Sequence, residues 1–270
     1  MNVWKNTKTI DEYILDLLPS KFPEMAEIAL IGGRKINIDD FPVLKGIFKC
    51  GVGTDNIPFE EAKKRKIRIG FPSEKTAGYI FEETACFACQ LCLSMLYSEV
   101  GSLKEWEKYS RTYIGDKTLL IIGTGRIGTR VAQKMRSFLK VTTFDICKNL
   151  LSELTDKIKS ADCITLHIPL NDETRNFFSA KKLSYMKDGA CLINTARGAI
   201  VSEDALFDEL KSKRIKAAFD VFWEEPYRGK LAELSEDIFR MTPHIASTNK
   251  RFIQQTAMDF RNFIKGIKND

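Results

Sequence analysis

The sequence predicts an α/β protein made of two units, each with a parallel sheet covered by helices on both faces. Short apolar runs alternate with stretches of helical periodicity along most of the 270 residues, which is the pattern of parallel sheets. A glycine-rich turn joins one apolar run to an amphipathic stretch between residues 118 and 145. The length and the 44% hydrophobic content suit one large or two small domains.

The first unit is predicted to begin with a strand within residues 1–6. Thr9 to Glu12 (TIDE) has the pattern of a capping box, which predicts a helix from there through Leu18. Three apolar strands and one clear helix follow: Ile28 to Ile31, Gly46 to Cys50, Ile67 to Phe71, and the helix Phe59 to Lys66.

A long helix from Tyr79 to Val100 is predicted to leave this unit, and the alternation resumes beyond it. The predicted strands of the second unit are Leu119 to Ile122, Val141 to Phe144, Asp162 to Ile168, Ala190 to Asn194, Ala217 to Val221 and Ile238 to Met241, and its later helices are 150–157, 180–186 and 202–213. Six such strands predict a doubly wound sheet.

The final stretch, Arg251 to Lys268, carries its apolar residues on one helical face. A helix of this kind is expected to pack back on the first unit, which would make that unit discontinuous. We therefore expect a smaller domain of residues 1–94 and 248–270, and a larger domain of residues 95–247.

The glycine-rich turn has the pattern of a dinucleotide-binding fingerprint. Gly123, Gly125 and Gly128 follow an apolar strand and open a helix, and Asp145 ends the next strand. Glycines allow a tight turn and close approach to a pyrophosphate, while an acid at that offset binds the adenosine ribose and repels a 2′-phosphate. A Rossmann-like fold that prefers NAD is predicted. Lys148, just past Asp145, is a cation that could tolerate a phosphate, although a solvated surface lysine is the favoured interpretation.

Composition excludes several classes of protein. The net charge is +6, and the one dense basic cluster, Lys63 to Lys66, lies on a predicted surface helix without interleaved aromatic residues; we expect no nucleic-acid binding. No apolar run is long enough to cross a membrane and no signal peptide is recognisable, so a cytoplasmic location is expected.

The seven cysteines lack paired spacing, which favours reduced thiols. Cys86, Cys89 and Cys92 have the spacing that begins some iron–sulfur motifs, but no fourth cysteine follows nearby. The segment is better interpreted as a buried helix, and no metal site is expected.

Four polar residues stand where strands of the second unit end: His167, Arg197, Asp220 and His244. Ligands of such sheets bind at the carboxyl ends of the strands, so these side chains should meet in one cleft. The chain has only two histidines, so an imidazole acid or base must be one of them. In the first unit, residues 51–56 (GVGTDN) form either an anion-binding loop or an ordinary turn.

These motifs, taken in order, resemble the D-isomer-specific 2-hydroxyacid dehydrogenase family. The resemblance is carried by GVGTDNI at 51–57, the fingerprint with Arg126 and Ile127, HIPL at 167–170, NTARGAIV at 194–201, DVFWEEP at 220–226 and TPHI at 242–245. It implies a fold of two Rossmann-like domains with doubly wound parallel sheets, of which the substrate domain is the smaller and discontinuous one.

The resemblance implies catalytic roles for three residues. Arg197 would bind the substrate carboxylate and polarise the carbonyl, and His244 would exchange a proton with the carbonyl oxygen. Glu225 would hydrogen-bond that imidazole and favour its protonated form. Glu224 is an alternative acid and His167 an alternative base.

It also implies the binding residues. NAD would be bound by Gly123, Gly125, Arg126, Ile127, Gly128, Asp145, Ile168, Thr195, Ala196 and Asp220. The substrate would be bound by Lys49, Val52, Gly53 and Arg197. Lys49 resembles the cation that phosphoglycerate dehydrogenases place there, which makes 3-phosphoglycerate a first candidate substrate; hydroxypyruvate, glyoxylate and bulkier 2-oxo acids stay open.

The expected function is therefore hydride transfer between NAD(H) and a small 2-hydroxy or 2-oxo acid. The resemblance also implies a homodimer formed through the cofactor domain and the region around Trp106. An NADH-sensing protein on the same scaffold, similar to a corepressor, is the alternative. The sequence departs from the family at YIFEET after Pro72, at Ile146 and in HIAST, and the first domain is abbreviated.

Overall fold

The computed structural model describes residues 1–17, 20–98 and 100–268. Two compact units result: unit 1 is Met1–Ile80 with Ser247–Asp270, and unit 2 is Phe81–Ala246. The division falls inside helix α2 (Glu74–Leu96), earlier than the boundary expected near residue 94. The middle and end of α2 pack into the core of unit 2 through Ala85, Ala88 and Leu91, which explains the early division.

Unit 1 contains a four-stranded parallel sheet in the order β1-β2-β3-β4, so the predicted α/β organisation is confirmed. Its helices include α1 (Phe59–Lys64) and α7 (Lys250–Lys268). Its strands are β1 (Val3–Lys5), β2 (Ile28–Ile31), β3 (Gly46–Lys49) and β4 (Arg68–Gly70).

Helix α7 covers one face of this sheet with the apolar stripe that the sequence predicts. Phe260, Ile264 and Ile267 are buried against Phe48 of β3. The helix lies close to the sheet because β4 ends in a glycine: a Cβ on Gly70 would lie 2.5 Å from the Phe263 ring. The discontinuous unit therefore follows from an apolar helix whose matching surface was built by the first part of the chain.

The helix predicted from Thr9 is wrong within the described residues, and Leu18 lies outside them. Only a short 3-10 turn forms, at Asp11–Tyr13. The polar groups are used elsewhere: the Thr9 hydroxyl bonds the Thr7 hydroxyl at 2.7 Å, and Asp11 pairs with Lys5 at 2.5 Å. The capping box therefore does not form, because contacts with the preceding residues engage Thr9 and Asp11.

The long helix begins earlier than predicted because Ser73 caps it. The Thr76 N–H donates to the Ser73 hydroxyl at 3.4 Å, and Asp259 of α7 accepts from the Ser73 N–H and the Thr76 hydroxyl at 2.8 and 2.7 Å. Its predicted end at Val100 overshoots Leu96, and Glu99 lies outside the described residues. None of the described helices has the length and apolar character needed to cross a bilayer.

Unit 2 contains the predicted six-stranded parallel sheet, in the order β12-β11-β10-β9-β7-β8. The order reverses between β7 and β9, which makes their carboxyl ends the expected ligand position. The strands are β7 (Thr118–Ile122), β8 (Lys140–Phe144), β9 (Cys163–Leu166), β10 (Cys191–Asn194), β11 (Lys216–Phe219) and β12 (Phe239–Met241). A separate antiparallel pair joins β5 (Gly101–Ser102) to β6 (Glu107–Lys108).

Helices cover both faces of this sheet, as a doubly wound fold requires. Apolar residues of α2 and α3 pack on one face and those of α4, α5 and α6 on the other. The helices are α3 (Arg126–Met135), α4 (Glu153–Ser160), α5 (Ala180–Leu183) and α6 (Glu203–Lys211). Cys89 and Cys92 are buried in α2 and Cys86 is exposed, so the interpretation as a helix is confirmed.

Candidate active site

The glycine-rich turn has the conformation that a dinucleotide requires. Gly123 has φ of +92°, and a Cβ on Gly128 would lie 1.9 Å from the Gly123 carbonyl oxygen. Gly125 faces open space, and no described side chain caps the start of α3. The first N–H groups of α3 are therefore available to an anion. This donor set fits the pyrophosphate of NAD.

Asp145 lies directly after β8, beside this turn. Its carboxylate accepts from the Thr124 N–H and the Thr124 hydroxyl, both at 2.8 Å. The Thr124 N–H, opposed by partial burial and assisted by the Thr124 hydroxyl, lowers the pKa of Asp145. The carboxylate is thus ionised and fixed at the edge where the adenosine ribose of NAD is expected.

His244 and Glu225 form a hydrogen-bonded pair. Nδ1 of His244 lies 2.8 Å from Oε2 of Glu225, and Oε1 of Glu225 accepts from the Phe222 N–H at 3.2 Å. Glu224 is exposed to solvent. Of the two acids that the sequence left open, Glu225 is the one that contacts the imidazole.

Ionisation of Glu225 responds to two opposing effects. Burial alone raises the pKa of Glu225, but the hydrogen bond and charge of His244, the Phe222 N–H and the charge of Arg197 outweigh burial and lower the pKa. The folded protein therefore holds a Glu225 carboxylate, which can only accept a hydrogen bond. Nδ1 of His244 then carries the proton, and Nε2 is the nitrogen left to act on a substrate.

This lowered pKa predicts a pH dependence of stability. A carboxyl whose pKa falls on folding contributes stability above its unfolded value, 4.5 for Glu225, and loses it as the pH falls through the folded value. We expect urea titration to show a stability advantage of the wild type over Glu225→Gln at pH 7 that shrinks below pH 4.5. An advantage that stays constant down to about pH 3 would contradict this.

Arg197 follows β10 in a tight loop shaped by Asn194. The buried Asn194 side chain accepts from the Ala196 N–H and donates to the Arg197 carbonyl, both at 2.9 Å. Gly198 allows the loop to lie against the segment that carries Glu225, since a Cβ there would be 2.2 Å from the Phe222 carbonyl carbon. Sequence reasoning gave Asn194 no role, although a polar residue ending an apolar strand was a usable signal.

Asp220 holds the segment that carries His244. The carboxylate is fully buried and accepts from the Thr242 hydroxyl at 2.6 Å and from the Ile245 and Ala246 N–H groups, both at 2.9 Å. Burial raises the pKa of Asp220, against the effect of these three donors. His244 has φ of +54°, an uncommon conformation that these bonds maintain. The nicotinamide contact implied by the resemblance stays a prediction.

This arrangement predicts the effect of changing Asp220. In Asp220→Asn one oxygen becomes an NH₂ group that faces existing donors, so we expect a loss of about 1–3 kcal/mol in the free energy of unfolding. Because the His244 segment is released, kcat should fall at least about tenfold. Chemical denaturation and steady-state kinetics measure the two effects, and unchanged kcat would contradict the positioning role.

Aromatic residues that the sequence analysis missed support the Glu225 segment. Phe222 stacks on Tyr227 with ring centroids 4.9 Å apart, and Trp223 stacks on Phe219 at 5.9 Å. The Trp223 indole N–H donates to the Val201 carbonyl at 2.8 Å. The segment between β11 and β12 is therefore packed on the core of unit 2 rather than free at its edge.

His167, the alternative base, lies at the end of β9. Its Nε2 is 3.1 Å from the Thr165 hydroxyl, and burial lowers the pKa of His167 to about 4. A neutral imidazole at pH 7 is a poor proton donor, which favours His244. His167 and Ile168 pack behind the glycine turn, where a Cβ on Gly123 would meet both.

Thr195 follows β10, and its hydroxyl oxygen is buried without a hydrogen-bond partner among the described residues. Buried hydroxyls are normally paired, so this oxygen fits a contact with a bound cofactor. Ala196 lies in the turn after β10, and Arg126 and Ile127 are the first residues of α3, which follows the turn after β7.

In unit 1, Lys49 is buried at the end of β3. Its ammonium group donates to the Gly32 carbonyl at 2.5 Å and to the Asn56 side chain at 2.8 Å. It thereby ties the loop after β3 to the segment after β2. In that loop, neither the Val52 nor the Gly53 N–H donates to a backbone carbonyl within the described residues.

Comparison with known proteins finds a family match and several similar enzymes. Residues 94–246 match the family described as D-isomer specific 2-hydroxyacid dehydrogenase, NAD binding domain. The chain is 33% identical to the hydroxypyruvate reductase of Thermotoga maritima, over 86% of this chain and 81% of that one. It is 32% identical to the D-3-phosphoglycerate dehydrogenase of Methanocaldococcus jannaschii, over 77% of this chain and 43% of that protein.

A solved structure covers the whole chain. The D-lactate dehydrogenase of Aquifex aeolicus, complexed with NAD and lactic acid, matches with a TM-score of 0.80 and 26% identity, over 100% of this chain and 97% of that one. The prediction of the family, of the Rossmann-like α/β fold and of NAD as the cofactor is confirmed. The chain belongs to the D-isomer specific 2-hydroxyacid dehydrogenase family, whose members are NAD-dependent enzymes that transfer a hydride between NAD(H) and a 2-hydroxy or 2-oxo acid.

Proposed function

We propose that this chain reduces a small 2-oxo acid, with His244 as the proton donor, Glu225 as its partner and Arg197 as the carboxylate-binding residue. The 2.8 Å contact between Nδ1 of His244 and Oε2 of Glu225 carries this proposal. A histidine oriented by a carboxylate is the arrangement that a general acid and base requires. The alternative of an NADH-sensing protein has no comparable observation in its favour.

The proposed reduction needs one hydride and one proton, which NADH and His244 would supply. When bound, NADH supplies the hydride that reaches the carbonyl carbon. Nε2 of His244 gives its proton to the carbonyl oxygen, and in the oxidative direction it removes that proton. The Glu225 carboxylate stabilises the charged imidazolium through Nδ1, and it does not itself need to change protonation state.

Substrate binding follows from the charge and donor pattern. The guanidinium of Arg197 suits a carboxylate, which it can bind with two parallel hydrogen bonds. For Val52 and Gly53 of unit 1, we propose a role in substrate binding through their N–H groups, which are donors that suit an anionic acid. For the cofactor, we propose contacts from the glycine turn with Arg126 and Ile127, and from Asp145, Ile168, Thr195, Ala196 and Asp220.

Hydroxypyruvate and glyoxylate are the first candidate substrates. Lys49 was expected to bind a substrate phosphate, but its ammonium already donates to Gly32 and Asn56 inside unit 1. We propose that Lys49 shapes the loop after β3 instead. A phosphate-bearing acid such as 3-phosphohydroxypyruvate would then gain no advantage over its unphosphorylated counterpart.

The test is NADH oxidation, followed by absorbance, with glyoxylate, hydroxypyruvate, branched 2-oxo acids and 3-phosphohydroxypyruvate. Turnover of a small unphosphorylated acid would support the proposal. A strong preference for 3-phosphohydroxypyruvate that Lys49→Met removes would overturn the role given to Lys49. NADH binding without any turnover would favour the cofactor-sensing alternative.

We propose that the chain acts as a homodimer in the cytoplasm. Around β5 and β6, Leu103, Trp106 and Tyr113 are 87%, 81% and 73% exposed, and exposed apolar clusters mark contact surfaces. Seven free thiols suit a reducing compartment. Sedimentation should show a dimer that Leu103→Glu with Trp106→Glu dissociates; a monomeric wild type would refute it.

A further inference from the structure

Lys148 and Thr124 form a short hydrogen-bond network with Asp145, the carboxylate expected to bind the ribose. Lys148 Nζ lies 2.8 Å from the Thr124 hydroxyl, and that hydroxyl lies 2.8 Å from Oδ2 of Asp145. Thr124 is the middle residue of the Gly123-Thr124-Gly125 turn, so the network borders the nucleotide loop directly. The ammonium group, the hydroxyl and the carboxylate are therefore connected by two consecutive hydrogen bonds at the edge of the cofactor site.

The direction of these hydrogen bonds is determined by the groups themselves. An ammonium group can only donate, so the Thr124 hydroxyl accepts from Lys148 and must give its own proton to Asp145. Oδ2 also receives the Thr124 N–H, and Oδ1 receives the Cys147 N–H at 3.0 Å. Three of the about four acceptor positions of a carboxylate are thus occupied within the protein.

Because these internal hydrogen bonds occupy the Asp145 carboxylate, it discriminates less strongly against a cofactor that carries a 2′-phosphate. Asp145 is ionised, but the lysine ammonium is linked to it through a single hydroxyl group. Residues 145–149 (DICKN) carry one acid and one base, and Ile146, Cys147 and Lys148 are exposed. The charge that would repel a 2′-phosphate is therefore balanced by a cation that is accessible from solvent.

We propose that Lys148, held in place by Thr124, binds the 2′-phosphate of NADPH, so that this chain uses NADPH as well as NADH. A cation near the ribose is the usual means of accepting that phosphate, and lysine serves as a point charge for phosphates. NADH remains the better cofactor because the ionised Asp145 lies beside the same ribose. The inference rests on the cofactor site of the proposed function and is independent of the substrate.

The test measures binding without any substrate. Titration calorimetry with NADH, NADPH, AMP and adenosine 2′,5′-bisphosphate compares each nucleotide with its 2′-phosphorylated form. We expect the wild type to bind NADPH within about a hundredfold of NADH, because the ammonium offsets part of the repulsion between Asp145 and the 2′-phosphate. Lys148→Met should weaken NADPH and the bisphosphate at least about tenfold while NADH and AMP change less than about threefold.

Lys140→Met is the matched control. Lys140 begins β8 and lies at the opposite end of that strand from Asp145, where it pairs with Asp116 at 3.7 Å. This variant removes the same charge from the same unit and should change neither ratio. Thr124→Val should weaken NADPH at least about threefold by releasing Lys148, and Thr124→Ser, which retains the hydroxyl, should restore it.

Two results would overturn the inference. One is a wild type that binds NADPH more than about a hundredfold less tightly than NADH, which exceeds the ratio expected with Lys148 in place. The other is a Lys148→Met variant that weakens both cofactors equally. A protein that binds neither nucleotide would refute the cofactor site itself and the inference with it. Binding of both without turnover of any acid would refute the proposed reaction and still support the inference.

Discussion

Replacement of His244 by Asn is expected to lower kcat by about a thousandfold, because general acid and base catalysis contributes about 10²–10⁴-fold. Asparagine can still bond Glu225, so the segment should keep its fold. NADH binding, measured by quenching of protein fluorescence, should stay within about threefold of the wild type, since the change removes no contact proposed for the cofactor.

His167→Asn is the comparison that separates the two histidines. Its ring is neutral near pH 7 because burial lowers the pKa to about 4, so we expect kcat to fall less than about tenfold through altered packing alone. The double variant His244→Asn with Glu225→Gln should lose little more than His244→Asn, since the carboxylate acts through the imidazole. Full turnover of His244→Asn would refute its role.

Two glycine variants should separate cofactor binding from folding. A Cβ on Gly125 meets no atom within 4 Å, so Gly125→Ala should change the free energy of unfolding by about 0.5 kcal/mol or less. The same methyl group would stand where the pyrophosphate must approach the backbone. We expect NADH affinity to fall at least about tenfold.

Gly128→Ala, in contrast, should mainly lower the free energy of unfolding. Its Cβ would lie 1.9 Å from the Gly123 carbonyl oxygen and 3.3 Å from Ile121, so the turn must move. We expect a loss of about 1–3 kcal/mol in the free energy of unfolding, as for overpacked sites. Urea titration of both variants, with NADH titration of each, checks the pair. Equal losses of stability in the two variants would contradict the prediction, because they would show that the folded protein has no room for a methyl group at Gly125.

Local patterns predicted the strands and the nucleotide turn well. The runs at Ile28 to Ile31 and Leu119 to Ile122 became buried strands, because continuous apolar residues are stable only inside a covered parallel sheet. The apolar face of the last helix likewise identified its partner sheet. The capping box at Thr9 failed because Thr7 and Lys5, which it did not include, bound its side chains.

The site was predicted less completely than the fold. Motif order indicated Arg197, Glu225 and His244, but the choice between Glu224 and Glu225 required the contact with His244. Asp220 and Lys49 were expected to face ligands. In the structure Asp220 accepts hydrogen bonds from the His244 segment, and Lys49 donates one to the Gly32 carbonyl.

The sequence by itself determined the α/β class, the family, the glycine turn and the set of polar residues at the strand ends. These depend on residue types at short spacing, where backbone conformation and periodicity act locally. Only the tertiary structure decided which carboxylate pairs with His244, that Asp220 orders the segment around it, and that Lys148 reaches Asp145 through Thr124. Such contacts depend on the few ångströms between loops that the sheet brings together, and hydrogen bonds form only within that range.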